Sequence, residues 1–168
     1  MNRRKWICAC LGFVLPGMVC AQEDPGKAII GSVSVTVYHA TNGDPNAAGA
    51  KATEVPQETA DRLRREARLR FKNYRMLGHD TQPLLRSYES WAQPLKPSEE
   101  VMVRFEAQGK PTKKTAILDL ELWFHRKKTV KTDARLEGKR PLFVLGPEWR
   151  GGRLIISVAL APKEKSGS

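Results

Sequence analysis

Between Ala116 and Leu136 the chain alternates. Leu118, Leu120, Leu122 and Phe124 take every second position against Asp119, Glu121, Trp123 and His125. After the basic run Arg126-Lys127-Lys128 the pattern resumes, with Val130, Thr132, Ala134 and Leu136 against Lys131, Asp133 and Arg135. Successive side chains of a strand point to opposite faces, so a period of two on both sides of a short polar turn specifies a β-hairpin with one dry face. That face must be covered, and the rest of the chain has to supply the cover.

Other segments carry the same period. Val33, Val35 and Val37 alternate with Ser32, Ser34, Thr36 and Tyr38, which predicts a first strand over 29–39. Val101, Val103 and Phe105 predict a strand over 99–106, and Leu154, Ile156, Val158 and Leu160 predict the last one. Shorter strands are expected at 74–77, 84–92 and 142–145, separated by Gly78-His79-Asp80, Pro94 and the Gly146-to-Gly152 loop. Ala40 to Thr53, rich in Ala, Gly, Asn and Asp, has no apolar face and reads as a mobile loop.

One helix is expected, over 56–72. Pro56 suits a helix start and Glu58 the first turn, while Ala60, Leu63, Ala67, Phe71 and Tyr74 form one apolar stripe. The remaining surface holds Arg62, Arg64, Arg65, Arg68, Arg70 and Lys72. Glu58–Arg62, Asp61–Arg65 and Glu66–Arg70 are acid-before-base pairs at helical spacing, so the row is read as a salt-bridged, solvated face and not as a nucleic-acid surface.

The element order is strand, helix, then a run of strands at hairpin spacing. It predicts an α+β fold, with one helix packed on a curved antiparallel sheet of about six or seven strands. The alternative is two small packed sheets with one helix at an end. Strand, helix and meander is also the order of cystatin-like folds, but their glycine-containing inhibitory loop has no match here and no inhibitor activity carries over. The leader described below, the helix running into Phe71-Lys72-Asn73-Tyr74 and the closing Gly146-Pro147 to Ile156 hairpin resemble small exported bacterial proteins of unknown function. That resemblance implies export and no particular activity.

The chain begins with Asn2-Arg3-Arg4-Lys5, an apolar run from Trp6 to Cys20 and then Ala21. This pattern predicts a signal peptide, 1–21, and a periplasmic or secreted product. Val19 before Cys20 disfavours lipidation at that cysteine, and the run, broken by Pro16, is short for a membrane span. The expected organisation continues with a loose arm at 22–27, one α+β domain at 28–161 and a disordered tail at 162–168. All three cysteines (Cys8, Cys10 and Cys20) fall within the leader, which leaves the remainder no disulfide and excludes the disulfide-stapled secreted scaffolds. Loss of Arg3, Arg4 and Lys5 lowers the formal charge from +11 by three, to +8. Such a balance favours polyanions: anionic lipid, lipopolysaccharide or acidic glycan.

Candidate chemistry is sparse. Asp119, Glu121 and His125 fall on one face of a strand and are the weak metal or acid–base candidates, yet the facing strand offers Lys131 and Arg135, so cross-strand ion pairs account for them more economically. No phosphate-cradling glycine loop, nucleophile elbow or cofactor motif is present, and no catalytic residue is assigned. Trp123, Trp149 and Arg150 are binding candidates, because Trp and Arg dominate interaction hot spots. The basic turns add Lys110, Lys113 and Lys114 and, in the central hairpin, Arg126, Lys127 and Lys128. In a meander those turns fall at both ends of the sheet, which disfavours a nucleic-acid groove. The leading expectation is a non-catalytic envelope protein that binds another protein, with an apolar patch or unpaired edge strand near the last hairpin. A polyanion-binding module is the alternative, and a hydrolase-like enzyme the third reading.

Overall fold

The computed structural model describes residues 23–109, 111–112, 114–138 and 140–161. The expected signal peptide and the expected tail lie outside the described residues, and so do Lys110 and Lys113 of the expected basic turn. Among the described residues the chain forms nine strands and one α-helix: β1 (Ile29–Thr41), β2 (Thr53–Glu54), α1 (Gln57–Arg65), β3 (Asn73–Leu85), β4 (Ser90–Ala92), β5 (Val101–Gln108), β6 (Thr115–Phe124), β7 (Lys127–Glu137), β8 (Leu142–Trp149) and β9 (Gly152–Leu160).

All pairings are antiparallel, and they build two sheets in place of one. The first sheet runs β2-β3-β1-β9-β8 and the second β4-β5-β6-β7. The single curved sheet of six or seven strands is therefore corrected to two packed sheets, the alternative arrangement. The reason is the dry face of the central hairpin. Leu118, Leu120 and Leu122 of β6 and Val101, Val103 and Phe105 of β5 form one wholly apolar surface, and Val33, Val35, Val37, Leu154, Ile156 and Val158 of the other sheet form the second. These residues are all at most 1% exposed. Each buried aliphatic side chain contributes about 2 kcal/mol, and only sheet-on-sheet packing buries both surfaces together.

The helix covers the opposite face of the first sheet. Ala60 and Leu63 pack on Tyr38, Ala40, Tyr74 and Ile155, with Leu69 completing the cluster. The helix is shorter than the 56–72 its periodicity predicts. Glu66 turns extended (φ −83°, ψ 116°) and Ala67–Leu69 forms a 3-10 turn. Tertiary docking overrides helical propensity here. The Tyr74 hydroxyl donates to Leu69 O at 2.8 Å and accepts from Phe71 N at 2.9 Å, which folds this turn back against β3. Consequently Glu58–Arg62 forms at 3.8 Å, Asp61 pairs with Arg64, and Glu66–Arg70 is no longer a helical pair.

Other boundaries shift for local reasons. β3 runs through Gly78-His79-Asp80, where a break was expected, because Gly78 faces the Pro94 carbonyl with no room for a Cβ and marks a bulge against β1. β1 continues to Thr41, and the expected loop after it holds a 3-10 turn (Pro45–Ala48) and β2. Residues 23–27, expected to be loose, hold a 3-10 turn capped by Asp24, whose carboxylate also accepts from the Tyr88 hydroxyl at 2.5 Å.

Candidate functional site

The two sheets leave four edge strands: β2, β8, β4 and β7. β2 has two residues and β4 three, too short to template pairing. β7 is long but carries Lys127, Lys128, Lys131, Asp133 and Arg135. β8 is different. From Pro141 to Pro147 it carries no charged residue, and Leu142, Phe143, Val144 and Leu145 follow one another.

The hydrogen-bond alternation fixes which β8 groups face outward. Ala161 N donates to Ser32 O at 2.8 Å, so Ala161 turns its backbone toward β1, as do Ala159, Ser157 and Ile155 at two-residue steps. The intervening Val158 and Ile156 turn theirs toward β8, where their partners are Leu142 and Val144. Phe143 and Leu145 therefore point their N–H and C=O groups away from the sheet. Beside them a groove of about 720 Å³ is lined by Glu66, Ala67, Arg68, Leu69 and the strand itself, from Pro141 to Leu145. Side chains split between two layers: Leu142 and Val144 join the inter-sheet core, Phe143 and Leu145 the helix-side cluster with Leu69.

The outer face of the second sheet gathers the acidic candidates. Asp119 and Glu121 stand on β6 with Arg104 of β5 between them and their neighbours. The Arg104 guanidinium donates to Glu89, to Glu106 Oε2 at 2.9 Å and to Asp119 Oδ2 at 3.2 Å, and lies 3.8 Å from Glu121 Oε1. Lys131 closes on Asp119 at 3.2 Å and on Glu121 at 3.5 Å, and Lys128 on Glu121 at 3.3 Å. Burial works to raise the Asp119 carboxyl, but the bonds from Lys131 and Arg104 outweigh it and hold it below the usual range. The same balance, with Trp123 and Lys128 as donors, lowers Glu121. Trp123 packs on Trp91 with ring centroids 5.7 Å apart, and the Lys128 ammonium lies 5.7 Å from the Trp123 ring.

His125 is not with them. It sits beyond β6, in a two-residue turn with Arg126, and reaches Glu100 at 3.7 Å. Arg126 pairs with Glu99 at 2.6 Å, while Lys127 opens β7 and is exposed. Among the described residues no three His, Cys, Asp or Glu side chains are grouped to hold a metal ion.

The β8–β9 turn reaches the same end of the molecule, because Trp149 Nε1 donates to Glu100 Oε1 at 2.6 Å. Arg150 lies over the Trp149 ring at 4.4 Å, and the wholly buried His39 meets that ring edge-on at 5.6 Å. His39 Nε2 bonds Trp149 O at 3.2 Å, leaving Nδ1 without a partner among the described residues. A cleft of about 560 Å³ opens here, with Thr41, Phe71, Trp149, Arg150 and Arg153 among its walls. Lys114 lies at the far end, where its carbonyl accepts from Gly138 N.

Comparison of the chain with protein-family models, with curated proteins and with solved structures yields no significant match. The site must be read from its own geometry. The residues that the sequence reading left out are Phe143, Leu145, Leu69 and Arg68, which build the groove, and Arg104, which centres the ion pairs. The signal for β8 was its lack of charge between two prolines.

Proposed function

We propose that this chain is an exported, non-catalytic interaction module that accepts an extended segment of another protein along β8. The observation that carries the reading is the uncharged edge itself, with Phe143 and Leu145 presenting unpaired backbone groups beside an apolar groove. Outward N–H and C=O groups on an edge strand are a template for pairing, and an added strand satisfies both donors and acceptors while its side chains fill the groove. The carboxylates an enzyme would need, Asp119 and Glu121, are tied into ion pairs, which supports a non-catalytic role. The basic turns lie at opposite ends, Arg126 and Arg150 at one and Lys114 at the other, so the turns do not support the polyanion reading. No helix among the described residues is long and apolar enough to cross a membrane.

The test is a selection of short displayed peptides on the leaderless protein, followed by amide hydrogen exchange with each selected peptide. Protection gained at Phe143 and Leu145, and binding weakened about tenfold or more by Phe143→Lys, are the expected results. Selected peptides that protect other strands and tolerate Phe143→Lys would remove β8 from the proposal.

A further inference from the structure

The same edge constrains what can lie on it, and this inference rests on the strand-addition reading. We infer that the partner segment is short, extended and apolar on alternate positions, with acidic residues at its ends.

Length comes from the backbone. Pro141 and Pro147 bound the uncharged segment, and neither has an N–H to offer. Between them only Phe143 and Leu145 turn outward, so the ladder closes after the two donors and two acceptors they supply. The pattern comes from the faces. Partner residues opposite Phe143 and Leu145 share their face and meet Ala67 and Leu69, so these positions are apolar. The residue opposite Val144 points to the inter-sheet side and takes no part in filling the groove.

Charge comes from the rim. Arg68 lines the groove, and Arg140 precedes Pro141 where β8 begins. Neither has an ion-pair partner among the described residues, whereas Arg62, Arg64 and Arg104 do. Arg65 and Arg70 flank the lining segment, and Glu66 is its one carboxylate. A segment ending in Asp or Glu is complementary to this rim. A second copy of the chain is not: it would set one basic rim against another on chains whose formal charge is +8 once Arg3, Arg4 and Lys5 are lost with the leader.

Two synthetic probes separate the cases: acetyl-Asp-Val-Thr-Val-Thr-Val-Asp-amide and the same peptide with Lys at both ends. The acidic probe is expected to bind about tenfold tighter, the worth of two rim ion pairs, with the margin shrinking as salt rises. The double variant Arg68→Glu, Arg140→Glu should reverse the preference, and amide exchange should show Phe143 and Leu145 protected. Equal affinity with those amides protected would overturn the acidic partner and leave strand addition standing. If neither probe protects them, the edge reading itself falls. A concentration-dependent dimer that protects Phe143 and Leu145 without peptide would make a second copy the occupant and overturn the inference.

Discussion

The hairpins β6–β7 and β8–β9 share a plan. Each closes through two residues in the left-handed region, His125 (φ 47°) with Arg126 (φ 61°) and Arg150 (φ 45°) with Gly151 (φ 71°), and each places one strand at the margin of a sheet. Their margins are finished in different ways. β7 meets water with lysines and an arginine, Lys128 and Lys131 among them bound to carboxylates of β6, while β8 carries four half-buried apolar residues along its edge. Charge on an edge strand is the usual protection against unwanted pairing. The same chain applies it to one hairpin and withholds it from the other, and the groove lies beside the unprotected one. Among the described strands, β2 and β4 are closed by shortness and β7 by charge, which leaves β8 open to a partner.

The β8–β9 hairpin is most sensitive at Gly152, which begins β9 and faces the imidazole of His39 and the Ala40 carbonyl with no room for a Cβ. Gly152→Ala is expected to cost about 3 kcal/mol in urea unfolding by displacing the β8–β9 turn from β1. An unchanged unfolding midpoint would mean that the turn is not docked there.

Arg104→Met tests the other hairpin. It leaves Asp119 and the buried Glu121 short of one cation and is expected to cost about 2 kcal/mol, less than for a fully buried pair because Lys128 and Lys131 remain. Asp119 and Glu121 are held below their ordinary values, so their contribution is present above about pH 4 and is lost as pH falls through the lower folded values. That acid loss should be shallower in the variant. His39 adds a separate window. Burial lowers its pKa, against the backbone oxygens that favour the charged form, so its contribution is complete above about pH 6.5 and declines as pH falls below that. Urea midpoints measured across pH should show both losses in the parent protein, and His39→Gln should remove only the upper one.

The smallest effect sharpens the shared plan. Replacing His125-Arg126 by Asn-Gly suits both left-handed positions and is expected to stabilise by about 1 kcal/mol, less the Arg126–Glu99 pair it removes. A destabilised double variant would show that His125 and Arg126 hold the turn through Glu100 and Glu99 more than its geometry opposes them.

The hairpin of β6 and β7 was legible because its alternation repeats over two strands, and β1, β5 and β9 were legible for the same reason. Alternation states which side chains share a face. It does not state whether two dry faces belong to one curved sheet or to two that pack, and so the sheet count was decided only in three dimensions. Gly78 was read as a turn because glycine signals turns and close backbone approaches alike, and only the position of Pro94 separates the two. The acidic residues of β6 could be paired on paper with Lys131, but Arg104 lay on another strand with no spacing to connect it. The open edge was expected near the last hairpin, whereas its floor, Ala67 to Leu69, was hidden inside an overlong helix.

The aromatic arrangement also gives the molecule two separate optical reporters. Trp91 and Trp123 stand at 5.7 Å with planes tilted by 58°, close enough for their excited states to couple and to sign the circular dichroism of the second sheet. Trp149 stands apart, with its indole N–H on Glu100 and the edge of His39 against its ring, which places it to report on that imidazole in the first sheet. Unfolding followed by both signals would show whether the two sheets of one sandwich part company together.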